Sequence, residues 1–134
     1  MLPDNRLAIA TDILTAAAGW REQSLQLAAR LRDDPVVREV TSGLDVRAYT
    51  SGVVLELFID AELTTGTAIT FWIDVIPQAE ERWRITSEVR GMRGTEQELL
   101  RPVQDADVVT FSQVDQIVTR SLEMFATLDP SIAL

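Results

Sequence analysis

Residues 53 to 76 read VVLELFIDAELTTGTAITFWIDVI, and this stretch decides the fold. Apolar residues recur with a period of two on both sides of residues 64 to 66 (TTG), which is typical of two strands that each bury one face. A three-residue hairpin loop with glycine in the left-handed conformation sets Leu57 opposite Ile73. A slip of one residue would put the two apolar sets on opposite faces, so the pattern predicts the register as well as the strands.

The same period continues on both sides of this hairpin and predicts an antiparallel meander. The four predicted strands are residues 44–50, 53–63, 67–76 and 82–90. Ser51 and Gly52 supply the first hairpin turn. Residues 96–101 form either a short fifth strand or a helical turn, and residues 103–111 are mostly loop.

Helical periodicity marks both ends of the chain. Residues 5 to 32 are predicted as helix, kinked or divided in two at Gly19, and a short helical piece follows from Asp34 as N-cap through Val40. A last helix covers residues 113 to 128, with Ser112 as its N-cap. The apolar face of the first helix comprises Leu7, Ala10, Ile13, Leu14, Ala17, Leu25, Ala28 and Leu31.

These elements predict a single α+β domain over residues 1–134. Its antiparallel sheet of four or five strands is flanked in sequence by an N-terminal helical segment and a C-terminal helix, and both helices pack on one face. Trp20 and Trp83 have the phase of core residues. The other sheet face then has no covering element.

The residue inventory excludes several kinds of chemistry. The chain has no histidine and no cysteine, and all twelve basic residues are arginine. Serine hydrolases with a histidine base, thiol enzymes, Schiff-base enzymes and histidine-ligated metals are therefore excluded. Carboxylate chemistry, an all-oxygen Mg²⁺ or Ca²⁺ site and a borrowed cofactor remain open. Since no nucleotide or phosphate motif occurs, we predict no cofactor and favour a protein that is not an enzyme.

Charge and hydropathy narrow the partners. The formal net charge is −9, which disfavours nucleic acid and suits a basic protein partner. Asp4, Arg6 and Asp12 interrupt the apolar run that a signal peptide or membrane anchor needs, so we expect no membrane association and a cytoplasmic location.

One row across the outward sheet face is the first candidate site. The inferred registers set Arg47 opposite Glu56, Glu56 opposite Asp74, and Asp74 opposite Arg84. Two adjacent carboxylates compete for ionisation, so the row is either an acid/base pair or cation site, or a surface ladder in which the arginines compensate the charges.

Aromatic residues form the second candidate. The pattern puts Tyr49, Phe58 and Trp72 on the outward face, with Phe58 beside Trp72. Aromatic side chains are enriched where another surface buries them, so this surface is covered within the protomer, by a protein partner or second subunit, or by a small ligand.

Together these features favour an acidic protein-interaction module that presents the outward face to a protein partner or, in a homodimer, to a second copy. In outline the arrangement is similar to immunity proteins and secretion chaperones, without a shared motif. The alternative is a small-molecule-binding domain with carboxylate-based catalysis. A pocket lined by Glu56, Asp74 and Trp72 would favour the alternative, and a flat exposed face the interaction module.

The residue inventory leads to a first prediction. Purified protein should retain no stoichiometric zinc in elemental analysis and should not hydrolyse generic ester or phosphoester substrates. Zinc retained through purification, or turnover abolished by a serine-specific reagent, would contradict it.

Overall fold

The structure is a computed structural model that describes residues 5–49, 52–78, 82–93, 96–108 and 110–130. Within these ranges, the backbone alone is described at residues 5–13, 46–49, 52–53, 97, 99–106 and 108.

Along the chain, five strands lie between an N-terminal helix and a C-terminal helix. The elements are α1 (Asn5–Arg32), β1 (Val37–Tyr49), β2 (Gly52–Leu63), β3 (Ala68–Pro77), β4 (Trp83–Arg93), β5 (Glu96–Val108) and α2 (Phe111–Thr127). The strands lie in the order β1-β2-β3-β4-β5, and every neighbouring pair is antiparallel. The predicted α+β class, meander and flanking helices are confirmed, and the sheet has five strands.

The pairing of β2 with β3 is the predicted one. Leu57 lies opposite Ile73, and Gly66 has a φ of 86°, the left-handed conformation that the three-residue loop requires. Helix α1 packs on β1 and β2, and α2 packs on β3, β4 and β5. Both helices therefore cover the same side of the sheet.

The core lies between the helices and this inward side. Phe71 of β3 and Phe125 of α2 have ring centroids 5.0 Å apart. Trp20 and Trp83 are both buried, as predicted, and Trp20 Nε1 donates a hydrogen bond of 2.7 Å to Asp115 Oδ1, which ties α1 to α2. The two helices are thus fixed to each other as well as to the sheet.

Helix α1 is one continuous helix through Gly19, and its buried face differs from the predicted one. Among residues 14–32, the buried side chains are Ala17, Trp20, Ser24, Leu27, Ala28 and Leu31. The side chains of Leu7, Ala10 and Ile13, which were predicted on this face, lie outside the described part of the chain. Leu14 and Leu25 were predicted on this face, but their side chains are 72% and 44% exposed. They are eleven residues apart, about three turns, so they share a flank of the helix that points away from the core.

The predicted helical piece from Asp34 to Val40 is wrong, because β1 already begins at Val37. Asp34 does cap the backbone, but in a turn: its Oδ1 accepts from the N–H of Val36 at 3.0 Å, and its carbonyl accepts from the N–H of Val37 at 3.0 Å. Side chains of this kind offer the backbone an alternative to a helix. The β-branched residues that follow then favour a strand.

The region before α2 also differs from the prediction. Strand β5 extends to Val108, where a loop was expected. Its pairing with β4 has two register irregularities and includes Pro102, so its sequence lacks the clean alternation that identified the other strands. The N-cap of α2 is Thr110 rather than Ser112, and Gln113 completes a capping box with Thr110.

The capping box gives a second prediction. Thr110→Ala removes the oxygen that accepts from the N–H of Gln113 and should lower the free energy of unfolding by about 1 kcal/mol in urea denaturation. Ser112→Ala is the matched control and should change it by less than about 0.5 kcal/mol. A larger effect of Ser112→Ala would restore Ser112 as the cap.

Candidate functional site on the open sheet face

The outward side of the sheet is the candidate site, and we call it the open face. Its residues alternate along each strand with the buried ones. Side chains described on it are Arg38, Glu39, Thr41, Asp45, Val54, Glu56, Phe58, Asp60, Glu62, Ala68, Thr70, Trp72, Asp74, Ile76, Arg84, Thr86, Glu88, Arg90, Met92 and Asp107. Both helices lie on the opposite side, so neither covers this face.

The predicted charged row is correct at its centre and wrong at both ends. Glu56 lies opposite Asp74, as expected. Arg47, however, lies opposite Val54, and Arg84 lies opposite Ile76. Each arginine lies two residues away from the predicted register. A shift of two residues leaves the side chain on the same face of the sheet but gives it a different neighbour across the strands.

Because the registers of β1 and β4 differ from the predicted ones, Glu56 and Asp74 have other neighbours than the two arginines. Asp45 lies opposite Glu56, and Thr86 lies opposite Asp74. Three carboxylates on adjacent strands therefore form one row, without an arginine in register at either end. Glu56 is only 3% exposed, and both Glu56 and Asp74 take part in interactions within the protein. Among the described residues, no three carboxylates are placed to hold a metal ion together.

The side chains of Arg47 and Tyr49 lie outside the described part of the chain. The backbone places Tyr49 opposite Gly52, at the end of β1, and Arg47 two residues before it. Their predicted contribution to the open face stays a prediction. Arg84 is exposed on β4 and takes part in an interaction of its own.

The aromatic row is present as predicted, with Phe58 opposite Trp72. Phe58 leans over Gly43 of β1: a Cβ atom built on Gly43 would lie 2.7 Å from Phe58 Cε1. Trp72 Nε1 donates to Asp74 Oδ1 at 3.0 Å. Both rings are half-buried within the protomer, so each is held in place and still presents part of its surface.

Further polar groups on the face are also held in place. Thr70 Oγ1 donates to Asp60 Oδ1 at 3.0 Å across β2 and β3. Arg90 binds both oxygens of Glu88, through Nε at 2.6 Å and Nη2 at 3.2 Å. The hydrogen bond to Glu88 raises the pKa of the Arg90 guanidinium, so this guanidinium stays protonated.

The open face is acidic as a whole. Its carboxylates outnumber its arginines even when Arg47 is counted from its backbone position. The carboxylates are Glu39, Asp45, Glu56, Asp60, Glu62, Asp74, Glu88 and Asp107, and the arginines are Arg38, Arg47, Arg84 and Arg90, with Arg38 bound to Glu62. Since each carboxylate that accepts a bond from Thr70, Trp72 or Arg90 keeps lone pairs, the face can accept further donors.

Two cavities adjoin α1, and Asp45 is the one member of the carboxylate row that lines either of them. One of about 370 Å³ lies between α1 and β1 and is lined by Arg21, Ser24, Leu25, Ser42, Gly43, Leu44, Asp45 and Leu57. The other, of about 180 Å³, lies between the two helices and includes Gln23, Arg30 and Glu123. Neither is lined by Glu56, Asp74 and Trp72 together.

Comparisons with known proteins add no assignment. No family model, curated protein or solved structure matches the chain. Within the described ranges, no helix combines the length and the apolar character that crossing a membrane takes.

The contact between Gly43 and Phe58 gives a third prediction. Gly43→Ala displaces the Phe58 ring, so the substitution should be more favourable by about 1 kcal/mol in a Phe58→Ala background than in the wild type, measured by urea denaturation. Gly19→Ala is the control, because a Cβ at that position would meet nothing within 4 Å beyond its chain neighbours and the backbone of its own helix. It should have the same effect in both backgrounds. Equal effects of Gly43→Ala in both would show that the ring does not occupy this place.

Proposed function

We propose that this chain is a protein-binding module whose open face receives a basic surface of another protein. The observation that supports this most directly is the acidic open face itself, with two half-buried aromatic rings at its centre and both helices on the other side. Aromatic anchors surrounded by polar groups are the usual anatomy of a protein interface.

The charge distribution specifies the kind of partner. A face on which carboxylates outnumber arginines attracts a basic surface and accelerates its association. The internal bonds of Trp72, Asp60 and Glu88 hold the side chains before the partner arrives. Less side-chain freedom is therefore lost on binding than on a surface of unrestrained side chains.

Two other occupants are less compatible with this face. A second copy stacked face to face would oppose acidic rows to acidic rows, which is unfavourable unless intervening cations screen them. A small-molecule site would need a concavity, and neither of the two cavities described above is lined by Glu56, Trp72 or Asp74. The basic protein partner therefore remains the favoured occupant.

Site-specific photocrosslinking in the native cell tests the proposal. A photoreactive residue at Asp60, on the open face, should capture a protein with a basic surface. The same residue at Gln23, exposed on α1, should not capture it. Capture from both positions, or of a protein without a basic surface, would contradict the proposal.

The captured protein then allows a fourth, quantitative prediction. Asp60→Arg should weaken its binding about tenfold or more, and wild-type affinity should fall as salt rises, because screening removes the long-range attraction. Glu123→Arg makes the same charge change on the exposed side of α2 and should have little effect. Salt-independent binding would argue against electrostatic recognition.

A further inference from the structure

The two edge strands of the sheet differ in how they are protected. An edge strand presents unpaired backbone N–H and C=O groups, and proteins usually block them with proline, bulges or charge. Strand β5 has such features: Pro102, two irregularities in its pairing with β4, and an acidic sequence. It is a poor template for another strand.

In the described part of the chain, the protective features of strand β1 lie at its beginning. A register irregularity lies between Val37 and Glu39, and the Val40 carbonyl accepts a hydrogen bond from Arg32 at 3.3 Å. The centre, from Thr41 to Asp45, has neither proline nor bulge. Arg38, Glu39, Asp45 and Arg47 balance one another in β1, although the whole chain carries −9.

We propose that β1 pairs antiparallel with β1 of a second copy of this chain, with Gly43 opposite the partner's Gly43, to form a continuous ten-stranded sheet. A two-fold axis perpendicular to the sheet relates the copies, so both open faces lie on the same side. The pairs on the open face are Gly43 with the partner's Gly43, Thr41 with the partner's Asp45, and Glu39 with the partner's Arg47.

Charge complementarity favours this register. The axis places Glu39 opposite the partner's Arg47 and, by symmetry, Arg47 opposite the partner's Glu39. Opposite charges directly across a strand pair stabilise it. The same axis also avoids a like-charge contact, because the Thr41 hydroxyl, and not an acid, lies opposite the partner's Asp45.

The flank of α1 beside the β1 edge also supports a second copy of this chain as the partner. Leu25 lines the cavity of about 370 Å³ together with Ser42, Gly43 and Leu44 of β1, so the cavity adjoins the proposed axis. Leu25 and Leu14 on this flank are exposed in one protomer. The inward side chains of an added strand project toward this cavity, because alternate residues of a sheet share a face.

Helix spacing is also suitable. Each α1 lies over β1 and β2 of its own protomer. With strands about 4.8 Å apart, helices centred over the two β1–β2 pairs lie roughly 10 Å from each other. This is close to the usual packing distance of two helices, so the exposed flanks of α1 can meet across the axis. An extended segment of another protein would fill the edge but would bring no second helix.

Reversing the charges at positions 39 and 47, one at a time and together, tests the proposal. The strength of the dimer is measured by analytical ultracentrifugation. Glu39→Arg places arginine opposite arginine at two symmetry-related positions, and Arg47→Glu places glutamate opposite glutamate. Each variant alone should weaken the dimer about tenfold or more. An equimolar mixture of the two should dimerise again, because every pair across the axis is then of opposite charge. The double variant should dimerise as well.

Matched controls and the contrary outcomes follow from the same design. Glu98→Arg and Arg93→Glu change the same charges on β5 and β4 and should leave the dimer unchanged. A wild type that is monomeric at high concentration overturns the proposal, as does failure of the mixture to dimerise. A dimer broken by Trp72→Glu but not by the β1 variants would place the second copy on the open face instead.

Cysteine pairing reports the register directly, because the chain has no native cysteine. Thr41→Cys and Asp45→Cys, both at exposed positions, should form a disulfide-linked dimer when mixed and oxidised. Neither should do so alone, because equivalent residues lie about 13 Å apart along the paired strands. Efficient crosslinking of Thr41→Cys with itself would overturn the Gly43 register. Binding of a basic protein to the open face needs no dimer, so its outcome is independent.

Discussion

The pairing of β2 with β3 is the constraint on which the rest of the structure depends. The turn at Gly66 sets Leu57 opposite Ile73, so the apolar residues of both strands share one side of the sheet. Burying that side requires the two helices, which come from opposite ends of the chain and meet through Trp20 and Asp115. Once both helices occupy one side, the other side is left to the polar and aromatic residues of the alternation.

The same alternation explains how far the sequence predicts the site. A period of two determines which face a residue occupies, and it placed Glu56, Phe58, Trp72 and Asp74 correctly on the open face. It does not distinguish two registers that differ by two residues, because each side chain stays on the same face of the sheet in both. The registers of β1 with β2 and of β3 with β4 therefore depend on turn geometry, and the predicted partners Arg47 and Arg84 were wrong for this reason.

Other errors have separate physical causes. Asp34 has the residue type of an N-cap, but its carboxylate closes a turn in which the following valines enter a strand. Leu14 and Leu25 fit a helical period, yet the core needs only the narrower stripe through Trp20 and Leu31. The period therefore identified apolar residues without showing which of them this protomer buries. The proposed pairing of two β1 strands would bring these exposed leucines close to the second copy.

Charge is distributed unevenly over this surface, and the distribution separates its two proposed uses. The open face is acidic, so it disfavours a second copy and favours a basic protein. The β1 edge is neutral, so it lacks that repulsion and can bring two acidic chains together. Joining the edges would align two open faces on one side of a single sheet. A partner that repeats its basic surface could then engage both at once, and the second contact would form at the high effective concentration that a rigid link provides.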